Sequence, residues 1–184
     1  MSDKKNKVIS EIEQIYKHGD CKYAIWNYVS RDFWVKSFRN WFVELYFENK
    51  TDFNYSVCFT MSLNLSPINK GLMSKEFDDY IKAQKSVDFL VADISVVAPY
   101  ATVRYVQYRL VNGESIPFSS YVPFKPEHKK YGDKLKKHLE EKYITCLEDE
   151  ILFSKVDDGI SLENRTEDVR VYNCLFHDSD AWPK

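Results

Sequence analysis

The chain has 184 residues, 44% of them apolar and 16% aromatic, with 13 Tyr and 12 Phe. A chain of that length buries roughly 70% of its unfolded surface as one domain, so its core needs neither disulfides nor a metal to be complete. The formal net charge of -2 excludes the concentrated Lys and Arg excess that phosphate neutralisation requires, so nucleic acid is not the expected ligand.

Behind Ser2-Asp3, the residues Val8, Ile9, Ile12, Ile15 and Tyr16 recur at helical spacing and predict a helix from about Lys4 to His18, closed at Gly19. Cys21 to Val29 reads as a first strand that Ser30-Arg31-Asp32 breaks, and Phe33 to Asn40 suits either a short helix or an irregular strand. Trp41, Val43, Leu45 and Phe47 alternate with Phe42, Glu44, Tyr46 and Glu48, which reads as one arm of a hairpin whose return strand is Tyr55 to Met61. Ser66-Pro67 to Gly71 reads as a loop, and Ser74 is placed to cap a short helix through about Gln84.

The stretch from Val87 to Tyr121 carries the clearest pattern. Val87, Phe89 and Val91 are spaced two apart up to the Pro99-Tyr100 break, and Val103, Tyr105, Gln107 and Arg109 then alternate with Arg104, Val106, Tyr108 and Leu110 as far as Asn112-Gly113. Period 2 between turn residues predicts an antiparallel meander. Pro117, Pro123 and Pro126 limit the next strand, near Phe118, to an edge. Lys129 to Tyr143 reads as a second helix, Ile151 to Val156 as a short strand or helix end, and Val169 to Asn173 as a terminal strand. The expected fold is α+β: a mostly antiparallel sheet of meander and hairpins, packed with an N-terminal helix and a second helix near 129–143, in one globular domain spanning 1–184.

No catalytic or cofactor motif lies on these elements. The five glycines are scattered, which excludes the usual phosphate-cradling loops, and there is no G-x-S-x-G or H-E-x-x-H. Cys21, Cys58, Cys146 and Cys174 contain no C-x-x-C pair, so they read as small core residues rather than zinc ligands. Cys174 and His177 are the nearest nucleophile and base in sequence, yet on an extended strand they point to opposite faces. His177-Asp178-Ser179-Asp180 offers metal-ligating atoms without a second cluster, and Glu148-Asp149-Glu150 reads as a solvated turn. No catalytic residue, cofactor or metal site is expected. With neither a signal peptide nor 18 consecutive apolar residues, the chain is expected in the cytoplasm, away from membrane.

Two features point to a protein partner. Between Lys125 and Lys142 seven Lys stand against four acids, whereas from Glu148 to Lys184 ten acids stand against four bases. The second region marks Asp157, Asp158, Glu163, Glu167 and Asp168 as charges that steer a basic partner. The aromatic set Trp26, Tyr28, Trp34, Trp41, Tyr46, Tyr100, Tyr105 and Tyr108 exceeds what two helices over one sheet face cover, so some rings are expected at the surface. Tyr105 shares parity with Val103 and is the expected core ring. Tyr108, on the face of Arg104, is the expected exposed one, and Tyr108 and Arg104 are therefore expected at a partner-binding surface.

As a whole, the small acidic domain with its aromatic run Trp41-Phe-Val-Glu-Leu-Tyr-Phe47 and acidic end resembles the cytosolic immunity proteins of bacterial polymorphic toxin systems. That resemblance implies a non-catalytic protein that binds a toxin domain and blocks its active site. The competing reading is a small α+β enzyme or ligand-binding protein with a pocket between sheet and N-terminal helix. Partner identity and oligomeric state are open at this level.

Overall fold

The computed structural model describes residues 2–68 and 74–178; part of the expected 66–71 loop, and Ser179 and Asp180, lie outside them. The chain runs α1 (Ser2–His18), α2 (Lys22–Val29), α3 (Arg31–Trp41), β1 (Phe47–Asn49), β2 (Cys58–Asn64), α4 (Lys75–Gln84), β3 (Ser86–Ser95), β4 (Tyr100–Val111) and β5 (Glu114–Ser120). A 3-10 turn at Pro126–His128 then leads to α5 (Lys129–Glu140), β6 (Thr145–Cys146), α6 (Asp149–Leu152) and α7 (Val171–Leu175). The sheet order is β1-β2-β3-β4-β5, antiparallel throughout, and β6 adds a short parallel pairing to β4 at Tyr100 and Ala101. The fold is α+β, with the N-terminal helix in place.

The meander forms because its local signals agree. Asn112 and Gly113 both take positive φ, 53° and 88°, which the tight turn between β4 and β5 requires and which Asn-Gly accepts at least cost. Immediately before β3, Lys85 closes α4 in the left-handed region, and Ser74 Oγ accepts the Phe77 N–H at 3.1 Å as its N-cap.

Each sheet face has its own cover. On one face Met61, Leu63, Leu90, Ile94, Val103 and Tyr105 meet Trp34 and Phe38 of α3 and Leu135 and Leu139 of α5. On the other, Val8 and Ile12 of α1 and Tyr172, Leu175 and Phe176 of the C-terminal segment pack around Cys58 and Tyr100. Farther along that face, Phe77 and Ile81 of α4 cover Val87, Phe89, Val91 and Val106.

Several expectations are corrected. In the segment expected as a strand from Cys21 to Val29, Lys22–Val29 is helical, and Trp41 ends a helix instead of opening a strand, leaving only Phe47–Asn49 in β1. The buried rings Trp34, Phe38 and Phe42 are four apart, a helical stripe masked by the apolar Phe33, Val35, Trp41 and Val43 beside its two ends. Val171–Leu175 is helical as well; all five of its residues are buried, so no polar face exists to reveal the period. The expected short helix after Ser74 is present as α4, and because α4 packs on the same face as α1, α6 and α7, the sheet is covered on both faces. Tyr108 lies on the expected face but is half-buried, edge-on to Phe77 and Phe89 at 6.1 and 5.7 Å.

Gly132 lets α5 approach the sheet: a Cβ there would sit 2.0 Å from the Tyr105 hydroxyl. Replacing Gly132 by Ala gains about 1 kcal/mol of helix propensity but forces α5 off the sheet, and a net loss of about 1–3 kcal/mol is expected in urea unfolding. Tyr105→Phe in the same chain should recover most of that loss. A Gly132→Ala variant more stable than the parent would show that α5 does not rest on Tyr105.

Candidate functional site

Alternate residues of a strand share a face, and the register sets Thr60 opposite Asp93 and Asp93 opposite Thr102, with Cys58 opposite Ser95 and Arg104 opposite Val91. A polar strip therefore crosses β2, β3 and β4 between the two apolar clusters of that face. Cys58 and Asp93 are both 0% exposed. Water cannot solvate Asp93, so its charge is balanced by protein groups. Arg104 Nη1 donates to Asp93 Oδ2, while the Thr60 hydroxyl donates to Oδ1 at 2.9 Å. Burial alone would push this carboxyl up; the Arg104 guanidinium, helped by His177, reverses that and holds it well below the usual carboxylate range.

The C-terminal segment carries His177 into the strip. Val57 N–H donates to Phe176 carbonyl at 2.8 Å, His177 pairs with Ser56 as an isolated antiparallel bridge, and Asn173 Nδ2 donates to the His177 carbonyl at 3.2 Å. The imidazole lies against the Tyr172 ring, with centroids 5.9 Å apart and planes at 26°. Its Nε2 stands 3.5 Å from Cys58 Sγ and 3.6 Å from Asp93 Oδ1.

Cysteine, histidine and aspartate together suggest a nucleophilic triad, but a triad uses both imidazole nitrogens, one for the nucleophile and one for the acid. Here both neighbours face the same nitrogen. Burial also pushes the Cys58 thiol up, with the Asp93 charge adding to it, opposite to what an activated thiolate needs. The strip is thus a convergence of sulfur, nitrogen and oxygen donors and not a proton relay. Sequence spacing hides it, because the three side chains come from β2, β3 and the chain's far end. The one local signal is Asp93 itself, a lone carboxylate in the apolar run Phe89–Ile94.

A second feature is on the surface. Trp26 of α2, Phe33 and Trp34 of α3, Pro99, Tyr143 and Ile144 line an open groove of about 380 Å³. Trp26 is 78% exposed and Tyr143 90%. Tyr143 follows α5 at φ 61°, a C-terminal position where glycine is usual. The Tyr143 and Ile144 N–H groups donate to Glu140 and Leu139 carbonyls at 2.9 and 3.0 Å, so the capping bonds are made although the residue is a tyrosine.

Of the residues that sequence assigned to a partner surface, Arg104 is committed to Asp93 with its side chain 14% exposed, and Tyr108 packs under α4. The acids lie on the loop between α6 and α7, all exposed. Asp157 pairs with Lys17 at 2.9 Å, and Asp168 with Arg170 at 2.8 Å; Asp158, Glu163 and Glu167 belong to the same exposed loop. Where the competing reading places a pocket, Val8 and Ile12 of α1 are packed at 0% exposure, and an open pocket of about 290 Å³ lies beside them between Glu11, Gln14 and Ile15 of α1 and Val97, Ala98 and Pro99. No protein-family model, curated protein or solved structure matches the chain. Among the described residues no helix is long and apolar enough to cross a membrane.

The Asp93–Arg104 pair makes a pH-dependent prediction. In the parent, Asp93 has a folded pKa below its unfolded value of about 3.9, so its stabilisation is present above that pH and is lost as pH falls toward the folded value. In Arg104→Met, burial acts without the guanidinium and raises the folded value instead, so the penalty is greatest above it and is relieved on acidification. Arg104→Met should cost about 3–5 kcal/mol at pH 7 and visibly less at pH 4 in urea unfolding. An equal deficit at both pH values would mean that Asp93 is not the charge Arg104 neutralises.

Proposed function

We propose that this chain is a non-catalytic protein-binding module whose contact centre is the Trp26–Phe33–Tyr143 groove. The observation that carries this reading is the pairing of large exposed rings with an unfavourable backbone: a non-glycine residue in the left-handed region costs about 1–2 kcal/mol, and here that residue is the 90% exposed Tyr143. A strained position that displays an aromatic ring points to a role for what the ring touches. Trp and Tyr are the side chains that most often anchor protein interfaces, each worth 2 kcal/mol or more on truncation at a hot spot. Lys142, with Nζ 5.7 Å from the Phe33 ring centre, puts a cation at the rim. The acidic loop bearing Asp158, Glu163 and Glu167 supplies the charge that speeds capture of a basic partner.

The resemblance to immunity proteins makes a toxin domain the partner class, with the chain acting in the cytoplasm by covering the toxin's active site. An enzyme reading has less support, since the buried donor cluster lacks the geometry of a relay.

Co-expression with a candidate toxin domain tests this directly. The parent should restore growth and form a stoichiometric complex, Trp26→Ala should weaken binding about 30-fold or more, and Tyr143→Gly should raise the stability of the free protein by about 1 kcal/mol while weakening the complex. Tyr143→Gly that stabilises the protein and leaves binding unchanged, together with a neutral Trp26→Ala, would place the interface elsewhere.

A further inference from the structure

We propose that Cys58, Asp93 and His177 form a transition-metal site, with zinc as its ion, that fastens the C-terminal segment to the sheet. Sulfur, imidazole nitrogen and carboxylate oxygen are the donor types zinc accepts together. Their spacing fits the ion: with Zn–S of about 2.3 Å and Zn–N and Zn–O of about 2.0–2.1 Å, the edges of a tetrahedron are about 3.6 Å for S···N and about 3.3 Å for N···O. The observed separations are 3.5 Å for Cys58 Sγ to His177 Nε2 and 3.6 Å for His177 Nε2 to Asp93 Oδ1. All three donor atoms lie within 4.8 Å of one another.

The surroundings have the form of a second shell. A carboxylate that ligates through one oxygen is commonly held by a hydrogen bond to the other, and Asp93 turns Oδ2 to Arg104 while Oδ1 faces the cluster. Thr60 Oγ1, 2.9 Å from Asp93 Oδ1 and 3.6 Å from Cys58 Sγ, borders the remaining coordination position, where a water would complete four ligands. The imidazole is oriented by the Tyr172 ring and by the backbone bonds that hold residues 176 and 177 to 56 and 57. Binding is balanced by proton release: Cys58 gives up its thiol hydrogen to solvent as the Zn–S bond forms, His177 binds through its neutral imidazole and sheds to solvent any proton that it carries on that nitrogen, and ionised Asp93 binds without loss. The ion thereby links strands β2 and β3 to a segment 84 or more residues away in sequence, a closure that the unfolded chain does not possess.

The test uses the full chain after chelator treatment, titrated with Zn²⁺ by calorimetry and with Co²⁺ by absorption. One ion per chain is expected, with a thiolate-to-cobalt charge-transfer band. Tm should rise by about 5–10 °C at zinc about a hundredfold above Kd, and amide exchange should slow at residues 171–178. Cys58→Ser should abolish the band. His177→Ala, which alters a partly exposed side chain and leaves the Asp93–Arg104 pair intact, should weaken zinc binding about 100-fold or more while the apo protein stays folded by circular dichroism. Absence of a cobalt band in the parent, its persistence in Cys58→Ser, or equal zinc affinity in His177→Ala would each overturn the proposal.

Discussion

A full negative charge sits in the middle of the sheet, and the architecture is arranged around it. Asp93 is on β3, the third of five strands in the main path, flanked on either side by hydrogen-bonded neighbours and 0% exposed. An isolated buried carboxylate would neutralise itself or unfold its surroundings. Arg104, one strand over and two residues along, removes that instability. A buried ion pair of this kind adds little net stability compared with a well-packed apolar pair, but losing either member is costly. Its effect is therefore on specificity: a one-residue slip of β4 against β3 would turn Arg104 to the opposite face and leave Asp93 unpaired, so the register of the long meander and the charge pairing enforce each other.

The pair also decides what can cover this face. Two apolar clusters lie on it, one under α1 and α7 and one under α4, and the strip between them is polar. Only a cover that brings its own polar group fits, and the C-terminal segment does so with His177. The same segment inserts Tyr172 and Phe176 into the apolar cluster, and Tyr16 of α1 donates to the Cys174 carbonyl at 2.6 Å. The first and last helices are thus joined over the sheet, and the polar strip stays beneath them. The aromatic residues divide accordingly. Phe38, Phe42, Phe59, Phe89, Tyr172 and Phe176 are core, so the aromatic surplus does not appear as an exposed sheet face. What reaches the surface stands off the sheet, as Trp26 within α2, Tyr55 in the loop before β2 and Tyr143 just after α5.

How much of this was legible in the sequence follows from how local each signal is. The β3–β4–β5 meander, α1, α4 and α5 could be read because one face of each is polar or because a turn residue fixes an end, as Gly19, Ser74 and Asn112-Gly113 do. The α2 helix could not, and α3 stayed open between helix and strand, since Phe33, Val35, Trp41 and Val43 stand beside the buried stripe of Trp34, Phe38 and Phe42 and support a strand pattern equally well. Nor could α7, whose five residues are all inside. On β2 the alternating Cys58, Thr60, Ser62 and Asn64 resemble a solvent face, but all four are buried. The donor cluster depends on contacts between residues as much as 119 positions apart, and no spacing rule reaches that far. The parity of Tyr105 and Tyr108 was correctly read, while the exposure of Tyr108 depended on a third helix packing over it.

The claim on which the rest depends is that Asp93 is a permanent buried charge held by Arg104. Following the Asp93 carboxyl carbon by ¹³C NMR through an acid titration of the folded protein measures this directly. The account predicts that it remains ionised below the ordinary aspartate midpoint of about 3.9, for as long as the protein stays folded. A midpoint at or above that value would mean that burial outweighs the guanidinium, and that the central strip is held together by neutral hydrogen bonds instead of charge.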